Sequence, residues 1–139
     1  MNTYSLNDIE LGLEESFSIK VTNEKMEDFL RISGDKNPLH NDFEYAKSKG
    51  FQDRLVYGML TSSFFSTLVG EYLPGKYCIL HGIDIQFFNP VYIDNILTIS
   101  GKVNYINEAY KQLEIKAVII NQDNTKISKA TIKVGVMDE

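Results

Sequence analysis

A chain of 139 residues is one domain's worth, long enough to bury roughly two-thirds of its unfolded surface without disulfide or metal staples. Hydrophobic residues make up 43% and charged residues 24%, and the net charge of −5 is spread along the chain rather than blocked. That excludes the electrostatic footprint of a nucleic-acid or anionic-membrane binder; with no leader pattern and no apolar run near the roughly 20 residues of a membrane span, the expectation is one cytoplasmic domain over residues 1–139.

The first element is a strand over Ser16–Val21, where Phe17, Ile19 and Val21 alternate with polar residues. Thr22 or Asn23 then supplies a cap oxygen, Glu24, Glu27 and Asp28 suit the positive end, and Met26, Phe29 and Leu30 follow helical spacing until Gly34. Beyond it lies Ser33-Gly34-Asp35-Lys36-Asn37-Pro38-Leu39-His40, the stretch where a carboxylate and an imidazole sit together. Pro38 lacks an N–H and biases Asn37 toward extended geometry, so a non-helical loop is expected to bring Asp35 and His40 together by a turn. Asn41 or Asp42 can cap a second short helix through Ala46, closing at Gly50.

From Val56 to about Tyr72 the chain is apolar or small on nearly every side and carries no acid until Glu71, which predicts one buried helix. Four strands follow, Tyr77–Phe88, Ile96–Ile106, Gln112–Asn121 and Lys126–Val136, separated by turn residues at Asn89-Pro90, Asp94-Asn95, Asn107-Glu108 and Asp123-Asn124. An α+β domain with an antiparallel sheet curved around the long helix accounts for this order.

The lone Cys78, beside Ile79 and Leu80, reads as a small buried hydrophobe in a reducing compartment. His81 has no acid beside it and reads as a surface or partly packed residue. Two histidines and no grouped cysteines predict no metal. Phe64, Phe65 and Leu68 are at core spacing, with an acyl pocket as the other reading, and Phe87-Phe88 stays undecided. Asn37 and Asp42 read as loop and cap residues.

The stretch Phe29-x-x-Ile32-Ser33-Gly34-Asp35-x-Asn37-Pro38-Leu39-His40-x5-Ala46 resembles the signature of the MaoC-like, (R)-specific enoyl-CoA hydratases, with every defined position filled. Tyr57-Gly58-Met59-Leu60 resembles the start of that family's long helix, and Leu73-Pro74-Gly75-Lys76 and Asn89-Pro90-Val91-Tyr92 resemble two further segments in the right order. The resemblance implies a hot-dog fold with a helical overhang carrying the active-site loop. It implies Asp35 and His40 as the catalytic pair that holds a water, the Gly58 backbone N–H as donor to the thioester oxygen, and Ser66 as a further substrate contact. Relatives usually have His where Tyr57 stands, and favour Gly-Asp where Asp94-Asn95 stands.

Its implied activity is reversible hydration of a trans-2-enoyl-CoA to the (R)-3-hydroxyacyl-CoA, with coenzyme A as part of the substrate and no other cofactor. A hot-dog thioesterase is the rival within enzymes, disfavoured by a long helix without a carboxylate. A non-catalytic acyl-thioester-binding subunit is the rival outside them. Acidic net charge weighs against an acyl carrier protein as donor, unless local basic residues such as Lys76 or Arg54 override it. One hot-dog sheet leaves an edge uncovered, so a homodimer or dimer of dimers is expected.

Overall fold

The computed structural model describes residues 1–139. Strand β1 spans Glu14–Lys20, and Thr22 caps helix α1 (Asn23–Ser33) by accepting from the Lys25 N–H. Helix α2 (Pro38–Asn41), helix α3 (Phe43–Ser48) and helix α4 (Gly58–Thr67) follow. Strands β2 (Cys78–Phe87), β3 (Ile96–Asn107), β4 (Gln112–Ile120) and β5 (Lys126–Val136) complete the chain.

All five strands form one antiparallel sheet in the order β1-β3-β4-β5-β2, so β1 and β2 are its edges. Register follows the side-chain alternation: Phe17 pairs with Ile99 and Ile19 with Leu97, placing apolar pairs on the inner face. Bulges at Leu80/Gly82, Val103/Tyr105 and Ile119/Ile120 bend the strands. Against that face lie Leu60, Phe64 and Phe65 of α4 with Leu68 beyond it, meeting Leu97, Ile115, Ile132 and their neighbours in one core cluster. Each such side chain contributes about 1.5–3 kcal/mol by leaving water. Gly101 of β3 leaves no room for a side chain: a methyl group there would sit 2.8 Å from Leu68 Cδ2 and 3.0 Å from Ile115 Cγ2.

Three expectations are corrected here. Strand β1 begins at Glu14, because Glu14 and Glu15 still pair with Lys102 and Gly101. The expected single helix from Val56 to Tyr72 starts at Gly58 and is α-helical only to Thr67, passing into a π-helical segment over Leu68–Tyr72. The loop expected to be non-helical contains α2, because Pro38 occupies the first helical position, where no N–H is needed, and Asn37 caps it. No helix is long and apolar enough to cross a membrane.

Candidate active site

Gly34 closes α1 in the left-handed region at φ 70°, and its N–H donates to the Leu30 carbonyl at 2.8 Å. The chain reverses there into a ladder of short polar links. Asp35 Oδ1 accepts from the Asn37 N–H at 3.0 Å, and Asn37 Oδ1 accepts from the Leu39 N–H at 2.9 Å. Each link is the side chain of an Asp or Asn bonding its own backbone two residues on, which fixes the turn leading into α2. Asn37 and Asp42 thus hold the loop and cap α2 and α3, as expected of them.

His40 is clamped to the segment before α4 from two directions. Its Nδ1 lies 2.7 Å from the Leu55 carbonyl, and the Leu55 N–H donates to the Leu39 carbonyl at 2.9 Å. A carbonyl only accepts, so Nδ1 carries the proton, and in the neutral ring Nε2 is left as an acceptor. The imidazole stacks on Tyr57 with ring centres 4.2 Å apart.

Tyr57 is the residue that the sequence did not assign. It is 2% exposed, lies against Phe29 at 4.8 Å, and donates its hydroxyl to the Asp35 carbonyl at 2.8 Å. One side chain therefore touches both residues of the expected pair and immediately precedes Gly58. The departure from histidine replaces a ring by a longer phenol that reaches across the turn. Only its unusual residue type at that position marked it in the sequence.

Gly58 opens α4, and neither its N–H nor that of Met59 has an acceptor within the chain. The carbonyl of the Tyr57–Gly58 peptide accepts from the N–H groups of Leu60 and Thr61, at 3.1 and 3.2 Å, which polarises the free Gly58 N–H on the same peptide. The positive end of the helix adds to it. The Phe87 ring approaches so closely that a Cβ on Gly58 would stand 3.2 Å from its Cε1.

His40, Val56, Gly58, Phe87, Phe88 and Ile127 share a cavity of about 360 Å³. Asp35 is exposed on the turn beside it and shares no hydrogen bond with His40. Ser66 is not brought to this cavity: eight residues from Gly58, it lies about 12 Å farther along the helix axis and lines a separate apolar pocket with Met59, Leu80 and Ile83. Closer to Gly58 are Thr61 and Ser62, whose hydroxyls donate to the Gly58 carbonyl at 2.7 and 2.9 Å.

Among the other readings, Phe64, Phe65 and Leu68 are core, and His81 is exposed with Nδ1 2.7 Å from Gln112 Nε2. Cys78 is half-buried, and burial pushes its thiol up to about 11. Asp94 takes the left-handed conformation at φ 72°, as its turn position allows.

The family model described as MaoC like domain matches residues 6–126. The (R)-specific enoyl-CoA hydratase of Aeromonas caviae is 34% identical over 104 residues, covering 75% of this chain and 78% of that protein. A mitochondrial 3-hydroxyacyl-[acyl-carrier-protein] dehydratase of Arabidopsis thaliana is 40% identical over 77 residues, 55% of this chain and 45% of its own length. Among solved structures, the (R)-hydratase from A. caviae involved in PHA biosynthesis superposes with a TM-score of 0.88 at 29% identity, over 92% of this chain and 97% of that one. An R-hydratase from Pseudomonas aeruginosa reaches 0.90 at 23% identity, over 97% of this chain and 86% of that one, a likeness of fold.

Proposed function

Because this chain belongs to the MaoC-like domain family, we propose that it hydrates a trans-2-enoyl thioester reversibly to the (R)-3-hydroxyacyl thioester, with coenzyme A as the carrier. The observation that carries this is the sharing of one apolar cavity by His40, with its Nε2 free to accept, and the unbonded Gly58 N–H. Hydration needs both: a group that handles a water proton, and a donor where enolate charge develops on the thioester oxygen.

In this mechanism a water is held between the Asp35 carboxylate and His40 Nε2. As its oxygen adds to C3, one proton passes to the Asp35–His40 pair, Asp35 acting as base. The electron pair of the double bond moves through C2 onto the thioester oxygen, against the Gly58 N–H. The pair then returns a proton to C2 on the same face and ends as it began. Nothing is oxidised or reduced, so coenzyme A enters only as part of the substrate.

The edge strand β2 supports a homodimer. Leu80 is 50% and Ile83 41% exposed on it, and with Met59 of α4 at 62% they border an apolar pocket of about 230 Å³ that the single chain leaves open. Light scattering at working concentration should give twice 15.9 kDa or a multiple of that, and a stable monomer would refute the pairing.

Hydration consumes the conjugated double bond and liberates no thiol, whereas a thioesterase does the reverse. Crotonyl-CoA followed by enoyl absorbance and a free-thiol reagent together should show loss of absorbance alone. Thiol release with the enoyl absorbance persisting would overturn the hydratase assignment.

A further inference from the structure

Two lysines lie over Phe88, a ring that lines the reaction cavity, and neither is in an ion pair. The Nζ atoms of Lys126 and Lys129 lie 5.1 and 5.8 Å from the centre of the Phe88 ring, and Phe88 lines the cavity that holds His40 and Gly58. The backbone frames this arrangement. Phe88 N–H donates to the Ile127 carbonyl at 2.8 Å, and Asn89 Nδ2 donates to the Lys126 carbonyl at 2.7 Å, while Ile127 between the lysines turns into the cavity.

A ring beneath an ammonium holds it in place without neutralising its charge. The chain's ion pairs use Lys20, Arg31, Lys111 and Lys116, leaving Lys126 and Lys129 free. Beside them the outer face of the sheet adds Lys102 and Lys116, set directly opposite each other on β3 and β4, an arrangement that opposes folding. Glu114, 3.7 Å from Lys116, and Glu14, opposite Lys102 on β1, relieve it. A chain of net charge −5 thus groups four lysines on the outer face of the sheet, two of them over the Phe88 ring at the cavity wall. The two cations considered from the sequence do not share this place: Lys76 lies over Tyr77, and Arg54 is bonded to Asn23.

We propose that Lys126 and Lys129 seat the phosphate of the substrate's carrier arm, with Phe88 beneath the arm between phosphate and thioester. The inference rests on the hydratase reading. Coenzyme A and a carrier protein both present a thioester on a pantetheine arm that ends in a phosphate, so the recognised chemistry is shared and the source is decided by assay. Lysine suits it as a point charge for phosphate oxygens.

The test compares crotonyl-CoA, crotonyl-loaded acyl carrier protein and crotonyl-pantetheine, which lacks the phosphate, on the wild type, Lys126→Gln, Lys129→Gln and the double variant. Each loss at an exposed site should raise KM for the phosphate-bearing thioester about three- to tenfold, with the double variant worse. The preference for that thioester over crotonyl-pantetheine should shrink by the same factor, and its salt dependence should flatten. A rise confined to the CoA or to the carrier-protein thioester identifies the source. Wild-type KM in the double variant for both phosphate-bearing thioesters would overturn the seat while leaving hydration standing. An equal rise with crotonyl-pantetheine would also overturn it, exposing a packing effect. Absence of hydration of all three by the wild type would sink the hydratase reading and this inference with it.

Discussion

Replacing Tyr57 by Phe removes one atom that ties the Asp35 turn to the start of α4. The lost bond is the 2.8 Å link to the Asp35 carbonyl; the 3.4 Å contacts with Asn41 are too long to add much. The ring stays, so the stacking on His40 and the contact with Phe29 persist. A neutral hydrogen bond contributes about 0.5–1.5 kcal/mol net, and Asp35 is exposed enough for water to take over its carbonyl, which puts the cost near the lower bound. For a domain of this size the melting temperature should fall by only about 2 °C. Activity should suffer more, because a displacement of about 1 Å in a catalytic group can cost about 10² in rate. Calorimetry and crotonyl-CoA hydration on the same preparation separate the two. A normally folded Tyr57→Phe with wild-type kcat would show that the turn is held without the hydroxyl, and loss of kcat matched by collapse of the fold would show a purely structural tyrosine.

Asp35→Asn and His40→Ala should each lower kcat by about 10² to 10⁴ with little change in KM, and the double variant should resemble the worse single, because both act on one water; losses that multiply would refute the shared water. Gly58→Ala puts a methyl group 3.2 Å from the movable Phe87 side chain in ordinary helical geometry, so it should fold with a nearly unchanged melting temperature yet hydrate poorly. Undiminished kcat would show that the thioester does not need the close approach to the backbone that only glycine allows there. With its thiol pushed up to about 11, Cys78 has less thiolate at neutral pH than free cysteine, so a disulfide reagent should label the native protein slowly, faster as pH rises toward 11, and fastest in urea. Rapid labelling at pH 7 would contradict the burial.

Regular patterning made most of the fold legible. Strand β5 runs over Lys126–Val136 as its residues suggest, and the Thr22 cap and Gly34 stop bracket α1 because each supplies a local bond or conformation that neighbours do not. What escaped was positional. Pro38 alone suggests a break in any helix, whereas Asn-Pro at a helix start is a cap followed by a residue already at helical φ. Ser66 was placed by correspondence, but helical rise separates it from Gly58, and a spacing of eight residues states that separation only once the helix axis is known. Tyr57 was seen as a departure, and its bond to Asp35 spans 22 residues that no local pattern connects. The lysine pair needed the turn 87–90 and the start of β5 brought side by side.

The order β1-β3-β4-β5-β2 also governs how the chain meets the ribosome. Strand β2 is made before β3, yet its only partner is β5, which ends 49 residues after Phe87 (136 − 87). At roughly 5–20 residues per second, the apolar edge of β2 waits about 2–10 s without a neighbour. A nascent chain stalled before Lys126 therefore exposes Ile79, Leu80 and Ile83 on a strand with nothing to pair with, a target for chaperones and a seed for aggregation.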